Sequence, residues 1–244
     1  MLPTSKKELD KLGYANVDII LFSGDAYVDH PSFGPAVIGR VLEAQGYRVA
    51  LVPQPNWRDD LRDFKKLGKP RLFFGVTAGN MDSMVNHYTA AKRLRSNDAY
   101  TAEGRPGMRP DYAVTVYTKI LKKLYPDVPV IIGGIEASLR RLTHYDYWSD
   151  SLMPSVLVNS GADYLLYGMG ERPIIQLARL FRNKATAAEL RNTPQIAYVA
   201  ASKNDIPEPS GQILYLPSHT ACQKSRKLFA EHFKIIEKQA NTSN

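Results

Sequence analysis

Four short segments carry the side chains best placed for chemistry, and each follows a run of apolar, largely β-branched or aromatic residues. They are Ser23-Gly24-Asp25, Thr77-Ala78-Gly79-Asn80, Gly133-Gly134-Ile135-Glu136 and Gly168-Met169-Gly170-Glu171. In an open parallel sheet, ligands bind beyond the carboxyl ends of the strands. Glycine there lets the backbone approach a ligand, and the helix that follows favours an anion at its N-terminus. Each glycine could equally serve only a tight strand-to-helix turn, but four such loops on one edge point to a ligand site or an interface. The first loop also holds Asp29 and His30 with Asp25. A carboxylate beside an imidazole can fix its tautomer and raise its basicity, as a general base or a metal ligand requires. The alternative is a loop histidine bonded to a neighbour.

The run Leu139 to Asp150 is the least generic stretch. Arg140, Arg141, His144 and Tyr145, with Asp146, Tyr147, Trp148 and Asp150, could stack on a base or clamp a phosphate. The same residues could lock a long loop through ion pairs and aromatic packing. Cys222 lies between His219 and Lys224 without further support as a nucleophile, and is read as a structural thiol. The first turn lacks the G-x-G-x-x-G fingerprint and no G-x-x-x-x-G-K-[ST] loop occurs, which argues against a nicotinamide dehydrogenase or a P-loop nucleotidase.

The elements that must position these loops alternate. Strand-like runs at residues 17–22, 47–52, 71–76, 128–132 and 162–167 are separated by helical patterns near 35–45, 59–67, 112–125 and 173–181. Met81, Met84, Val85, Tyr88, Ala91 and Leu94 fall at helical spacing and predict a core-facing stripe. Residues 96–111, rich in Gly, Pro and charge, read as a long loop. Beyond residue 182 the rhythm changes. Residues 196–200 and 213–216 read as a β-pair around a polar turn, and 218–238 as a basic helix. The expectation is an α/β fold, a Rossmann-like doubly wound and mainly parallel sheet over residues 1–182. A β-hairpin and helix over 183–244 extend it.

Composition limits the chemistry. The chain has 244 residues, 44% hydrophobic and 23% charged, with 16 Gly, 16 Pro and one Cys. That is the profile of a globular protein. One cysteine excludes a four-cysteine zinc site and an iron–sulfur cluster held by three cysteines of this chain. No apolar run reaches the ~18 residues of a membrane span, and the N-terminus lacks a signal-peptide core, so a reducing, cytoplasmic location without membrane contact is expected. The net charge of +8 is concentrated, because residues 61–125 hold 13 Lys/Arg against 5 Asp/Glu. Such a surface could meet phosphates, RNA or an acidic partner, or be solvated helix faces.

Three motifs are specific enough to indicate a family. They are Ile131-Ile132-Gly133-Gly134-Ile135-Glu136-Ala137-Ser138-Leu139-Arg140-Arg141, then His144-Tyr145-Asp146-Tyr147-Trp148, then Tyr167-Gly168-Met169-Gly170-Glu171-Arg172. With the segments Phe22 to Gly34 and Thr77 to Val85, they resemble the N-terminal region of YgiQ-type radical SAM proteins across residues 14–240. The resemblance implies a longer protein, in which a Rossmann-like domain similar to cobalamin-binding domains precedes a radical SAM barrel. That barrel carries a C-x-x-x-C-x-x-C motif for a 4Fe-4S cluster, which cleaves S-adenosylmethionine to a 5′-deoxyadenosyl radical. The motif is absent here, and the family brings no established reaction or substrate. Cobalamin domains of the base-off type use D-x-H-x-x-G with the histidine on cobalt. Here Asp29 and His30 are adjacent, and His30 to Gly34 is one residue too long. The resemblance therefore implies the shared fold, while the first loop departs from the spacing that base-off cobalamin binding uses.

The expected function is an accessory, substrate- or cofactor-handling domain, silent alone. Its strand-end loops and the segment Arg140 to Asp150 would lie over the mouth of a barrel in the same polypeptide. The 4Fe-4S cluster and S-adenosylmethionine would belong to that longer protein, with no metal or catalytic group in this chain and a small molecule or RNA as substrate. The alternatives are an RNA- or nucleotide-binding module using the basic 61–125 surface, a cobalamin-binding domain, and an independent enzyme using Asp25, Asp29 and His30.

Overall fold

A computed structural model describes residues 1–208 and 211–242. After a capped first helix, α1 (Lys6–Lys11), the chain alternates β1 (Ile19–Ser23), α2 (Gly34–Ala44), β2 (Val49–Pro53), α3 (Arg62–Lys65), β3 (Phe73–Thr77) and α4 (Ser83–His87). A long loop leads to α5 (Ala113–Leu124), β4 (Val130–Ile132) and α6 (Gly134–Leu139). The hairpin β5 (His144–Asp146) and β6 (Ser151–Met153) follows, then α7 (Val156–Ser160), β7 (Tyr164–Leu166), α8 (Glu171–Arg182), α9 (Ala187–Arg191) and β8 (Ile196–Ala197). Two helices, α10 (His219–Lys224) and α11 (Arg226–Thr242), complete the described chain.

Six strands form one sheet in the order β2-β1-β3-β4-β7-β8. The first five are parallel, with Phe22 beside Val52 and Val76, and only β8 runs antiparallel at the edge. This is the doubly wound order, which reverses direction between β1 and β3 and opens a crevice there. The strands read as unbroken apolar runs because both faces are covered. On one face Phe22, Phe74, Val130 and Leu165 meet Phe64 of α3, Tyr117 and Leu121 of α5, and Val156 of α7. Phe22 stacks on Phe64 at 5.3 Å between ring centroids. On the other face Leu21, Phe73, Ile131 and Leu166 meet Leu42 of α2 and Ile174 and Leu177 of α8.

Three sequence expectations are corrected. The helical stripe from Met81 to Leu94 ends at His87, and of its residues only Met84 is buried, Val85 being exposed. Tyr88 instead turns extended and bridges antiparallel to Leu94, which is exposed. The cause is Asp111, whose carboxylate takes the Tyr88 hydroxyl at 2.8 Å and lies 2.7 Å from His87 Nδ1, drawing the chain out of the helix. The β-pair of residues 196–200 and 213–216 does not form among the described residues. Ile196–Ala197 pairs with Leu165 and Leu166 of β7, and 213–216 forms no strand. The free edge of β7 offered Ile196–Ala197 ladder partners within the sheet itself. The predicted helix at 59–67 is only the turn α3.

Close approach of β1 and β3 at their carboxyl ends depends on Gly24. Its N–H donates to Thr77 O, and a Cβ there would lie 2.2 Å from the backbone oxygen of Ala78. Gly24→Ala should therefore cost about 3 kcal/mol in a urea unfolding titration, because backbone must move. Gly170→Ala, whose Cβ would meet only Ile38 at 3.5 Å, should stay within about 0.5 kcal/mol of the parent.

Candidate functional site

The carboxyl edge of the sheet is built on two buried arginines. Arg109, from the long loop before α5, is fully buried. Its Nη1 donates to Asp25 Oδ1 at 2.7 Å and to Ala78 O at 2.8 Å, and its Nη2 donates to both oxygens of Asp98 at 3.0 and 3.2 Å. Asp25 also accepts the Asn80 N–H at 2.7 Å, and Asp98 accepts from Tyr100 N and Asn86 Nδ2. Burial raises the Asp25 pKa above the usual carboxylate range despite the guanidinium beside it. Burial acts on Asp98 too, but the Tyr100 N–H and Arg109 outweigh it and hold that carboxyl low.

Arg140, at the end of α6, forms the second brace. Its Nε and Nη2 grip Asp82 at 2.8 and 3.1 Å, and its Nη1 donates to Asp146 Oδ1 at 3.1 Å. Asp82 in turn caps α4 by accepting from Met84 N and Val85 N. Burial would raise Asp146, but bonds from the Ser149 hydroxyl and amide, from Tyr112 and from Arg140 bring it down to about 2. Between the braces, the wholly buried Glu136 accepts Ser83 N at 2.8 Å and Val114 N at 2.9 Å, so one carboxyl caps both α4 and α5. Burial, then the charge of Asp82, pushes its pKa up.

Asp25, Glu136 and Arg140 are therefore turned inward, tying loops together beneath the edge. The three side chains expected to share the first loop take separate partners. Asp29 binds Arg40, and the exposed His30 accepts the Ser32 N–H at Nδ1 over 3.1 Å, while Asp25 belongs to Arg109. No acid/base group is assembled from them. Ser23 Oγ accepts the Asp25 N–H. Asn80 bridges loops, its Oδ1 accepting Gly34 N and its Nδ2 donating to Ser32 O. Arg141 lies over the Tyr167 ring at 5.2 Å and donates to Ser138 O. His144 is held by Leu142 O and Arg140, and burial lowers its pKa. Tyr145 is exposed and donates to Asp150.

What the glycines build is a cavity. A space of about 310 Å³ lies between the sheet and helices α2 and α8, opening at the carboxyl ends of β1, β3, β4 and β7. Thr77, Gly79, Gly133, Gly134, Gly168, Gly170 and Glu171 line it, with Leu21, Ile38, Gly75, Ile131, Leu166 and Ile174 as its apolar floor and walls. Sequence reasoning named the rim and missed the walls, which read only as core. It also missed Arg109, Asp98 and Asp82. A charged residue in a Gly- and Pro-rich loop carries no local sign that it will be buried.

Among the described residues no three His, Cys, Asp or Glu side chains gather to hold a metal ion. His30 stands exposed on the first loop. Its Nδ1 accepts a backbone N–H, which puts the proton of the neutral ring on Nε2, and Asp29, its expected orienting carboxylate, is engaged by Arg40. Six of the thirteen Lys and Arg residues of 61–125 have ion-pair partners among the described residues, including Lys66 with Asp63, Arg71 with Asp18, Arg105 with Glu103, and Lys122 with Asp163. No helix among the described residues is long and apolar enough to cross a membrane.

Two outcomes follow for stability. Arg109→Met leaves Asp25 and Asp98 buried without their cation and should cost about 3–5 kcal/mol at pH 7, read by urea unfolding. Because the folded pKa of Asp146 is depressed, its contribution is complete above the ordinary carboxylate range and disappears as pH falls toward 2. Asp146→Asn should thus be less stable at pH 7 and lose less than the parent between pH 5 and 2.5.

Comparison with known proteins gives the same placement as the motifs. The family described as Radical SAM N-terminal matches residues 1–244. A UPF0313 protein of Porphyromonas gingivalis is 61% identical over 240 residues, which is 98% of this chain and 38% of that protein. The Bacteroides thetaiotaomicron UPF0313 protein is 58% identical, covering 98% of this chain and 40% of its own length. UPF0313 protein YgiQ of Escherichia coli is 55% identical over 210 residues, 86% of this chain and 28% of that protein. The chain thus spans about two fifths or less of these relatives. Among solved structures, the radical S-adenosylmethionine methyltransferase TsrM from Kitasatospora setae, with tryptophan and a SAM analogue bound, aligns at a TM-score of 0.48 and 19% identity, over 80% of this chain and 31% of that one. The chain belongs to the radical SAM N-terminal family.

Proposed function

We propose that this chain is the ligand-handling N-terminal domain of a radical SAM enzyme, catalytically silent alone. The observation that carries this reading is the apolar, glycine-rimmed cavity at the carboxyl edge of the sheet. A doubly wound sheet binds its ligand there. Its walls suit the apolar body of a small molecule, and the Glu171 carboxylate at the lip can accept hydrogen bonds from a hydroxyl or amine. The 4Fe-4S cluster and S-adenosylmethionine belong to the remainder of the polypeptide, since this chain has only Cys222. The radical chemistry is supplied there, and the residues here bind and orient.

Gly133→Leu tests this in the full-length protein. Gly133 has φ −163, extended backbone that any residue adopts, and its Cβ would meet only ordinary contacts with Leu166, so a longer side chain enters the cavity. The variant should fold with near-parental stability. It should retain at least about tenfold less of the small molecules that co-purify with the parent, measured by mass spectrometry, a loss of ~1.4 kcal/mol. Its release of 5′-deoxyadenosine with a small-molecule cell extract should fall in parallel. Unchanged retention and release in a well-folded variant would remove the cavity from the function.

A further inference from the structure

The segment Ile213-Leu214-Tyr215-Leu216 has the composition of a sheet strand and none of its contacts. A short continuous apolar run, bounded by Gly211 and Pro217, is what a strand covered on both faces looks like. Yet Ile213 is 49%, Leu214 43% and Tyr215 83% exposed. No backbone N–H or C=O of residues 212–216 is hydrogen-bonded to another described residue. The edge strand β8 does not take it up, since its pairing is with β7. Ile213, Leu214 and Tyr215 thus leave much of their apolar side chains in water, and all four residues leave their backbone polar groups without partners among the described residues. Each is costly to leave so in a folded protein, and an added strand satisfies both at once.

We propose that Ile213–Leu216 is a strand of a sheet supplied by the rest of the polypeptide, the part that the longer relatives carry beyond the matched region. The length of that part argues for this occupant over a second copy of the chain. The matched region is only 38–40% of the first two relatives, and the family description makes it their N-terminal portion. The segment lies between the α/β sheet and helices α10 and α11, near the end of the matched residues, within short reach of whatever follows. Val199, Ile206 and Phe233, in the same C-terminal part of the sequence, are exposed apolar residues as well. This inference rests on a further domain following in the same chain, and not on the cavity having a ligand.

The test is hydrogen exchange, followed by mass spectrometry, on the full-length Porphyromonas gingivalis relative carrying residues 211–217 of this chain in place of its own. The amides of 213–216 should exchange about 100-fold more slowly than an unstructured chain. Leu214→Pro removes one ladder donor and should abolish that protection. It should also speed exchange in one segment beyond the matched region, the partner strand, with the α5 amides unchanged. Exchange at the unstructured rate in the parent overturns the assignment, whether or not the variant folds. So does loss of protection in the variant without any change beyond the matched region. Neither result touches the Gly133→Leu outcome, so the strand and the cavity fail separately.

Discussion

One guanidinium, buried without access to water, organises the carboxyl edge of the sheet. Arg109 reaches from a loop with little regular structure to Asp25 at the end of β1, to Ala78 O after β3, and to Asp98 in its own loop. Taking a charge out of water costs several kcal/mol per ion unless partners restore its bonds. Here two carboxylates and one carbonyl do so, leaving only Nε without a partner. The arrangement fixes distances, because each carboxylate is also held from behind by a backbone N–H, Asn80 for Asp25 and Tyr100 for Asp98. Gly79 completes it. Its φ of +108 and missing Cβ leave room for the Asp25 carboxyl, which a Cβ would approach to 2.0 Å. The loop order that shapes the cavity mouth is thus set from below by electrostatics.

The second brace repeats the logic with different elements. Arg140 joins the end of α6 to the cap of α4 through Asp82 and to the β5–β6 hairpin through Asp146. Glu136 lies between the braces without a cation, satisfied by the N-terminal N–H groups of α4 and α5. Helix N-termini favour negative charge, and two converging on one carboxyl compensate its burial. Asp25, Glu136 and Arg140, which look catalytic in sequence, are consumed in scaffolding, and the cavity is lined mainly by glycine and aliphatic side chains, with Thr77 and Glu171 at its rim.

This division explains what was legible. The parallel strands were readable because burial on both faces demands continuous apolar runs, such as Ile19 to Phe22. The strand-end loops were readable because only glycine and small residues fit where strands and turns approach closely. The motifs around Gly133-Gly134 and Gly168-Met169-Gly170-Glu171 marked the cavity rim and the family together. The roles of Asp25 and Arg140 were not readable, since Asp25 meets Arg109 84 residues away and Arg140 meets Asp82 58 residues away. The stripe after Met81 misled because helical spacing says nothing about Asp111, 23 residues on, which ends the helix. The segment 213–216 misled in the opposite sense, because its composition is that of a strand and it forms no ladder among the described residues.

The cavity itself needs a physical account, because apolar walls normally collapse. At about 24 cal/mol per Å³, an enclosed void of 310 Å³ would cost ~7 kcal/mol, comparable to the whole stability of a domain. The space therefore cannot be a sealed packing defect, and it is not sealed, since it opens at the strand ends between loops that the two arginines anchor from beneath. Gly75 keeps its floor low in the middle of β3, and at the rim Gly34 N–H is bonded to Asn80 and Gly168 N–H to Ser138. Water against such walls makes few hydrogen bonds, so an apolar group that displaces it gains free energy without the protein having to rearrange. A rigid rim and an apolar interior are what a domain needs if its task is to hold a molecule still while chemistry happens elsewhere in the polypeptide.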